Sequence, residues 1–237
     1  MNTITKRKNL KPTTDENAPI SIRDELMTSM PLIVVGTKPL IVHAWSKKAL
    51  GILRAKHMKE AASPREAKNP EQEFEASKYR SPEGWEGVPA HGLKGAICEG
   101  ARYVGGSKDM SMTLLKGALY CEPDCPVSNL LRIYSTEPAR SREDLVRVGQ
   151  GLSRTVDIRY RAEYWPWWLR FTIRFPTVLF SAGQIADLIR AAGAFNGFCE
   201  WRPGAPISRT GSYGTFLVGN REHEQEFERI FKIKVRS

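Results

Sequence analysis

Four histidines, four cysteines and two glycine-rich stretches are the parts of this sequence whose residue types could do chemistry. His43, His57, His91 and His223 are scattered, with the spacing of neither a catalytic triad nor a metal site. Only Cys121 and Cys125 are close, and no second pair answers them. A structural zinc site wants four ligands in recognisable pairs, so Cys98, Cys121, Cys125 and Cys199 read as buried or incidental thiols of a reducing compartment. Glu222, Glu224, Glu226 and Glu228 alternate with polar residues like an exposed face, whereas a two-metal site needs inward acids from separate elements. His91 alone sits where a general base could work, in a turn with free backbone N–H groups. The expectation is a chain with no catalysis, no cofactor and no metal, with metal-independent RNA cleavage through His91 as the alternative.

Binding is better supported than catalysis. Lys and Arg number 36 against 26 Asp and Glu, a net charge of +10 that favours polyanions, nucleic acid before anionic lipid. Gly87-Val88-Pro89-Ala90-His91-Gly92-Leu93-Lys94-Gly95 is a proline turn opening a helix. Its free N–H groups and early lysine suit a phosphate, although the Walker spacing is missing and plain close packing on a sheet fits the same residues. A second stretch runs from Gly193 to Gly204 and on through Arg209 and Gly211 to Phe216. Its glycines permit close backbone approach, Arg202 and Arg209 supply cations, and Trp201 and Tyr213 supply rings. Between Arg140 and Arg174, arginines alternate with Tyr160, Tyr164, Trp165, Trp167 and Trp168, the ingredients of a single-strand groove. Lys47, Lys48, His91, Lys94, Arg102, Arg154, Arg159, Arg161, Arg202, Arg209 and Tyr213 are the residues expected to meet a strand.

The elements that must position these residues follow from periodicity. Residues 1–28 are polar and basic and predict a flexible arm; no apolar run follows the early lysines, so a cytoplasmic chain without a signal peptide is expected. No stretch has the roughly 20 apolar residues of a membrane span. Pro31 to His43 predicts a first core strand, kinked near Gly36 to Pro39, and Ser46 a cap for a basic helix over Lys47 to Ala61 with Leu50, Leu53 and Met58 at helical spacing. Residues 62–80 form a hydrophilic excursion. A helix follows from His91 to Val104 with Leu93, Ile97 and Ala101 inward, then strands at Met112–Cys121 and Leu130–Tyr134. Trp167 to Phe175 alternates cleanly as a strand, Ser181 caps a helix through Ala194, and Tyr213 to Val218 gives the last strand. That order predicts an α+β, ferredoxin-like (RRM-like) βαββαβ core in a single domain over 29–237, with long insertions near 46–86 and 121–165.

Pro89-Ala90-His91-Gly92-Leu93-Lys94-Gly95-Ala96 resembles the helix start of the RAMP superfamily, the RNA-binding proteins of CRISPR systems. Gly193 to Phe216 is similar in composition and place to that family's C-terminal glycine-rich loop, which lies against the first helix. The likeness is to the backbone subunit of Cascade-type complexes or to solitary phage proteins of that architecture. It implies a single-stranded RNA or DNA partner, an excursion at 62–86 or 121–165 that grips the strand, and copies assembling side by side as a homo-oligomer or filament. Glu200-Trp201-Arg202-Pro203 stretches the loop beyond the family pattern. RNA and DNA both stay open, because 2′-OH contacts are not legible in a sequence. A third reading is a phage structural or host-inhibitor protein whose basic zone meets an acidic protein surface.

Overall fold

The computed structural model describes residues 26–45, 47–60, 67–104, 110–148, 155–206 and 211–235. Two ladders dominate the described residues. β1 (Met27–Gly36) pairs antiparallel with β9 (Trp168–Pro176), placing Leu32 opposite Phe171 and Val34 opposite Leu169. Every second residue of a strand faces the same way, so Leu169, Phe171, Ile173 and Phe175 form one buried face, as the alternation predicts. The main sheet runs β10-β1-β9-β6-β4-β3, all neighbours antiparallel, with β5 pairing further along β9. Its other members are β3 (Tyr79–Arg80), β4 (Glu86–Pro89), β5 (Tyr120–Glu122), β6 (Leu130–Tyr134) and β10 (Phe216–Val218).

Helices α3 (Ala90–Gly100) and α5 (Ala182–Ala191) cover that buried face. Leu93 and Ile97 of α3 are fully buried, and so are Ile185, Leu188 and Ile189 of α5. Ser181 starts α5 through a reciprocal capping box with Gln184. The helix widens into a π-helical turn at Ala192–Asn196 and does not run on to Ala194 as an α-helix. Trp167 precedes β9 and is fully buried; its indole Nε1 donates to the Lys38 carbonyl at 2.8 Å, and the ring lies where a side chain at Gly36 would stand.

The expected strand from Pro31 to His43 is two strands in two sheets. The chain bends at Thr37–Pro39, and β2 (Leu40–Val42) joins β8 (Thr155–Tyr164) and β7 (Arg140–Val148) as a three-stranded sheet, order β2-β8-β7. β1 already includes Met27 and Thr28, so the predicted arm overran the strand; residues 1–25 lie outside the described residues. Met112–Cys121 is not one strand either. Ser111 accepts the Leu114 N–H and starts α4 (Met112–Ala118), and Leu115 and Leu119 are both buried four residues apart, a helical interval. The stretch 121–165, expected as an insertion, contributes β6 to the main sheet, and only β7–β8 leaves it.

α1 (Lys47–His57) forms where expected, but Leu50, Ile52 and Leu53 are exposed, so no apolar stripe of it is buried. The excursion contains α2 (Pro70–Ala76), capped by the Asn69 side chain and laid on β8. The alternating glutamates belong to a helix that the sequence pattern hid, α6 (Arg221–Phe231). Phe227 is fully buried against Ile33, Tyr134 and Trp168 on the sheet face opposite α3 and α5. No helix among the described residues is long and apolar enough to cross a membrane.

Candidate nucleic-acid interface

α3 begins without a side-chain cap, because Pro89 occupies the capping position. Its first N–H, from Ala90, donates to the Asn129 carbonyl at 2.9 Å. Asn129 has a left-handed backbone (φ 53°), and its side-chain amide meets His91 Nδ1 at 3.0 Å. The turn before β6 thus fixes both the helix start and the imidazole. His91 itself is exposed.

The glycine-rich loop lies along the same helix. Asn196, almost fully buried, donates from Nδ2 to the Ala96 carbonyl at 3.1 Å. Gly204 N–H returns to the Asn196 carbonyl, Phe198 N–H to Gly214, and Tyr213 N–H to Trp201. Glu200 N–H reaches Ile41 of β2, which ties the loop to the second sheet as well. Side chains at Gly193 or Gly211 would run into the backbone carbonyls of Phe216 and Trp201. Close packing is the work these glycines do.

Helix and loop face each other across a cleft of about 360 Å³. His91, Gly92, Gly95 and Glu99 supply the helix wall, Phe198, Glu200 and Arg202 the loop wall, and His43 and Tyr79 also line it. Burial, followed by the positive charges of Arg161 and Arg159, lowers the His43 pKa to about 4, so this imidazole is neutral at pH 7. Burial pushes the Cys199 thiol well above its ordinary range, which argues against a thiolate nucleophile here. Burial likewise lifts Cys121 to about 12, whereas the Ser128 hydroxyl lowers Cys125. All four cysteines are free, and no group of three or more potential metal ligands exists among the described residues.

Among the described residues, the structure brings two of those expected to bind a strand, His91 and Arg202, into the cleft. Arg202 also donates to the Cys199 carbonyl at 2.9 Å. Lys94 lies instead over the Tyr120 ring at 5.0 Å, and Arg102 is exposed beyond the end of α3. Arg142 stacks on Tyr213 at 4.7 Å, so one face of that ring is already covered. Arg161, expected among the binders, is 3% exposed and held by Asp144 at 3.1 Å and Glu200 at 3.7 Å. Its charge is spent inside the protein. Arg159 is half-buried on β8 opposite Asp144. Lys47 and Lys48 open α1, while Arg154 and Arg209 lie outside the described residues. Sequence reasoning missed His43, Tyr79 and Glu99. A signal existed for Glu99: it follows His91 by eight residues, with Gly95 midway, the spacing of one helix face.

No family model and no curated protein matches the chain. Among solved structures, the crystal structure of Cmr6 from Pyrococcus furiosus aligns with a TM-score of 0.38 and 7% identity, over 84% of this chain and 100% of that one. A likeness of that size assigns neither fold nor function.

Proposed function

We propose that this chain binds single-stranded nucleic acid without cleaving it, the strand crossing the cleft between the α3 start and the glycine-rich loop. One observation carries the reading. Two stretches about a hundred residues apart in the sequence are opposite walls of the same cleft, one bringing the exposed His91 and the other Arg202, groups that suit a polynucleotide. The order of elements supports a ferredoxin-like core beneath them. β1, α3, β6, β9, α5 and β10 come in the chain order βαββαβ, with further elements between them, and the sheet sets their fourth, first, third and second strands side by side. The β7–β8 hairpin, with exposed Arg140 and Arg147, is then the arm that reaches along the strand, and neighbouring copies bind beside one another on it.

Fluorescence anisotropy on labelled single-stranded oligonucleotides tests this. Binding should weaken steeply with salt, with a log–log slope of roughly −2 or steeper if three or more phosphates are neutralised. No binding at low salt overturns the proposal.

A second reading, metal-independent endoribonuclease activity, gains support because His43 lines the same cleft as His91, offering two imidazoles for acid and base. Under that reading RNA is cut without metal, and His91→Ala abolishes cutting while the strand stays bound. Intact RNA after prolonged incubation with the wild type removes it.

A further inference from the structure

The walls of this cleft are not uniformly basic, and on the strand-binding reading that mixture calls for a reason. Arg202 and His91 share the cleft with Glu99 and Glu200. A carboxylate repels phosphate, so the Glu99 corner is a poor seat for the backbone of a strand. Glu99 stands in the third turn of α3, one turn beyond Gly95, above which a Cβ would meet nothing within 4 Å, whereas Gly92 lies against the Phe198 ring. The Glu99 Oε2 is covered by protein atoms and has no hydrogen-bond partner among the described residues, so a donor in the cleft that Glu99 lines meets this oxygen once the side chain turns toward that space. An oxygen in that state carries a desolvation cost until a donor reaches it. A nucleobase offers what the corner lacks: a flat ring for the Phe198 and Tyr79 walls, and N–H donors at its edge. The volume of about 360 Å³ admits a small flat ligand and little more.

We propose that the cleft takes one unstacked base of the bound strand and that Glu99 selects guanine there. A carboxylate only accepts hydrogen bonds, through two oxygens side by side. Guanine presents two donors side by side, N1–H and the N2 amino group, on its Watson–Crick edge. Adenine and cytosine each set one amino group beside an acceptor nitrogen, and uracil or thymine offers one N–H between two carbonyls. Those acceptors would face the carboxylate. Guanine therefore binds best, and uracil or thymine worst.

The test uses the full chain and labelled strands of about 12 nucleotides, in ribose and deoxyribose forms. Each is a run of uridine or thymidine carrying one central guanine, adenine or cytosine, with the unsubstituted run as reference. The guanine strand should bind roughly tenfold tighter than the reference, the scale of one good bidentate contact. Glu99→Gln should bring all four strands within about twofold of one another. Gly95→Leu provides the second arm. A Cβ there meets nothing within 4 Å, so the new side chain starts in open space on the cleft wall and should likewise erase the preference, with a melting temperature that does not fall because leucine is the better helix former. Equal binding of the four strands by the wild type, or a guanine preference that survives Glu99→Gln, overturns the base pocket and leaves strand binding standing. Failure to bind any strand at low salt overturns both.

Discussion

β1–β9 and β7–β8 are both long antiparallel ladders, yet different forces hold them. In β1–β9, apolar side chains cover both faces: Leu32, Val34, Leu169 and Phe171 under α3 and α5, and Ile33 and Trp168 under α6. The β7–β8 ladder puts charge in those places. Arg142 bonds Asp144 and Glu163, each at 2.8 Å, Arg161 bonds Asp144, and Lys68 bonds Asp157 at 2.8 Å, while Leu145 and Val156 are exposed. Burial works against the Arg142 charge, but the hydrogen bonds it donates to Glu163 and Asp144 hold its pKa above the ordinary value. An arginine-rich hairpin is therefore not the same as a cationic surface. Its cations are of two kinds, those that hold the hairpin to the body and those that face solvent, and composition counts them alike.

Three measurements break or sharpen that comparison. The largest effect should come from the apolar ladder. Trp167→Ala removes a fully buried indole and its bond to Lys38, and should cost about 4 kcal/mol in urea denaturation. Next, Arg161→Ala leaves the buried carboxylate of Asp144 with Arg142 but with nothing in place of Arg161 at its other oxygen, and should cost about 3 kcal/mol. Replacing both, Arg161→Met with Asp144→Leu, should recover most of that loss, because an apolar pair leaves no uncompensated charge. A single substitution within 0.5 kcal/mol of wild type would mean that the ion pairs do not hold the hairpin.

The smallest effect is a pH dependence. His43, packed near Arg161 and Arg159, has its pKa lowered from 6.5 to about 4. The unfolded chain then binds the proton more readily, so the contribution of His43 is complete above pH 6.5 and is lost as pH falls toward 4. Between pH 7 and 4.5 the wild type should lose on the order of 2 kcal/mol more than His43→Gln. Parallel pH–stability curves for the two proteins would remove His43 from the account.

Periodicity made the apolar half of the fold legible. Leu169, Phe171, Ile173 and Phe175 announce β9, and Ser181 with Ile185, Leu188 and Ile189 announces α5, because burial on one face imposes a period on the sequence. Where an element offered few apolar residues of its own or was short, the period failed. α6 buries Phe227 beneath a run of glutamates, and α4 is a seven-residue helix whose leucines fit a strand nearly as well. The site was legible in part for the same reason. Pro89–Lys94 and the glycine run show in a linear sequence, and Glu99 shows only as a helical spacing from His91, but His43 enters the cleft through packing between distant segments. Arg161 carries the converse lesson: sparse aliphatics around it do not mean exposure when carboxylates supply the burial.

The glycine-rich loop also bears on how this protein can vary. A run such as Gly193 to Gly214 looks like filler that should drift freely between relatives. Here Gly193, Gly211 and Gly214 sit against the backbone carbonyls of Phe216, Trp201 and Phe198, and Gly204 sits against the Asn196 side chain. A side chain at the first three cannot be accommodated by a rotamer change in a neighbour, since the obstacle is main chain. Natural variation and saturation libraries alike should spare these glycines while accepting changes at Leu145, Val156 or Met58, whose side chains stand in water. The residues with the plainest side chain should then be among the slowest to change.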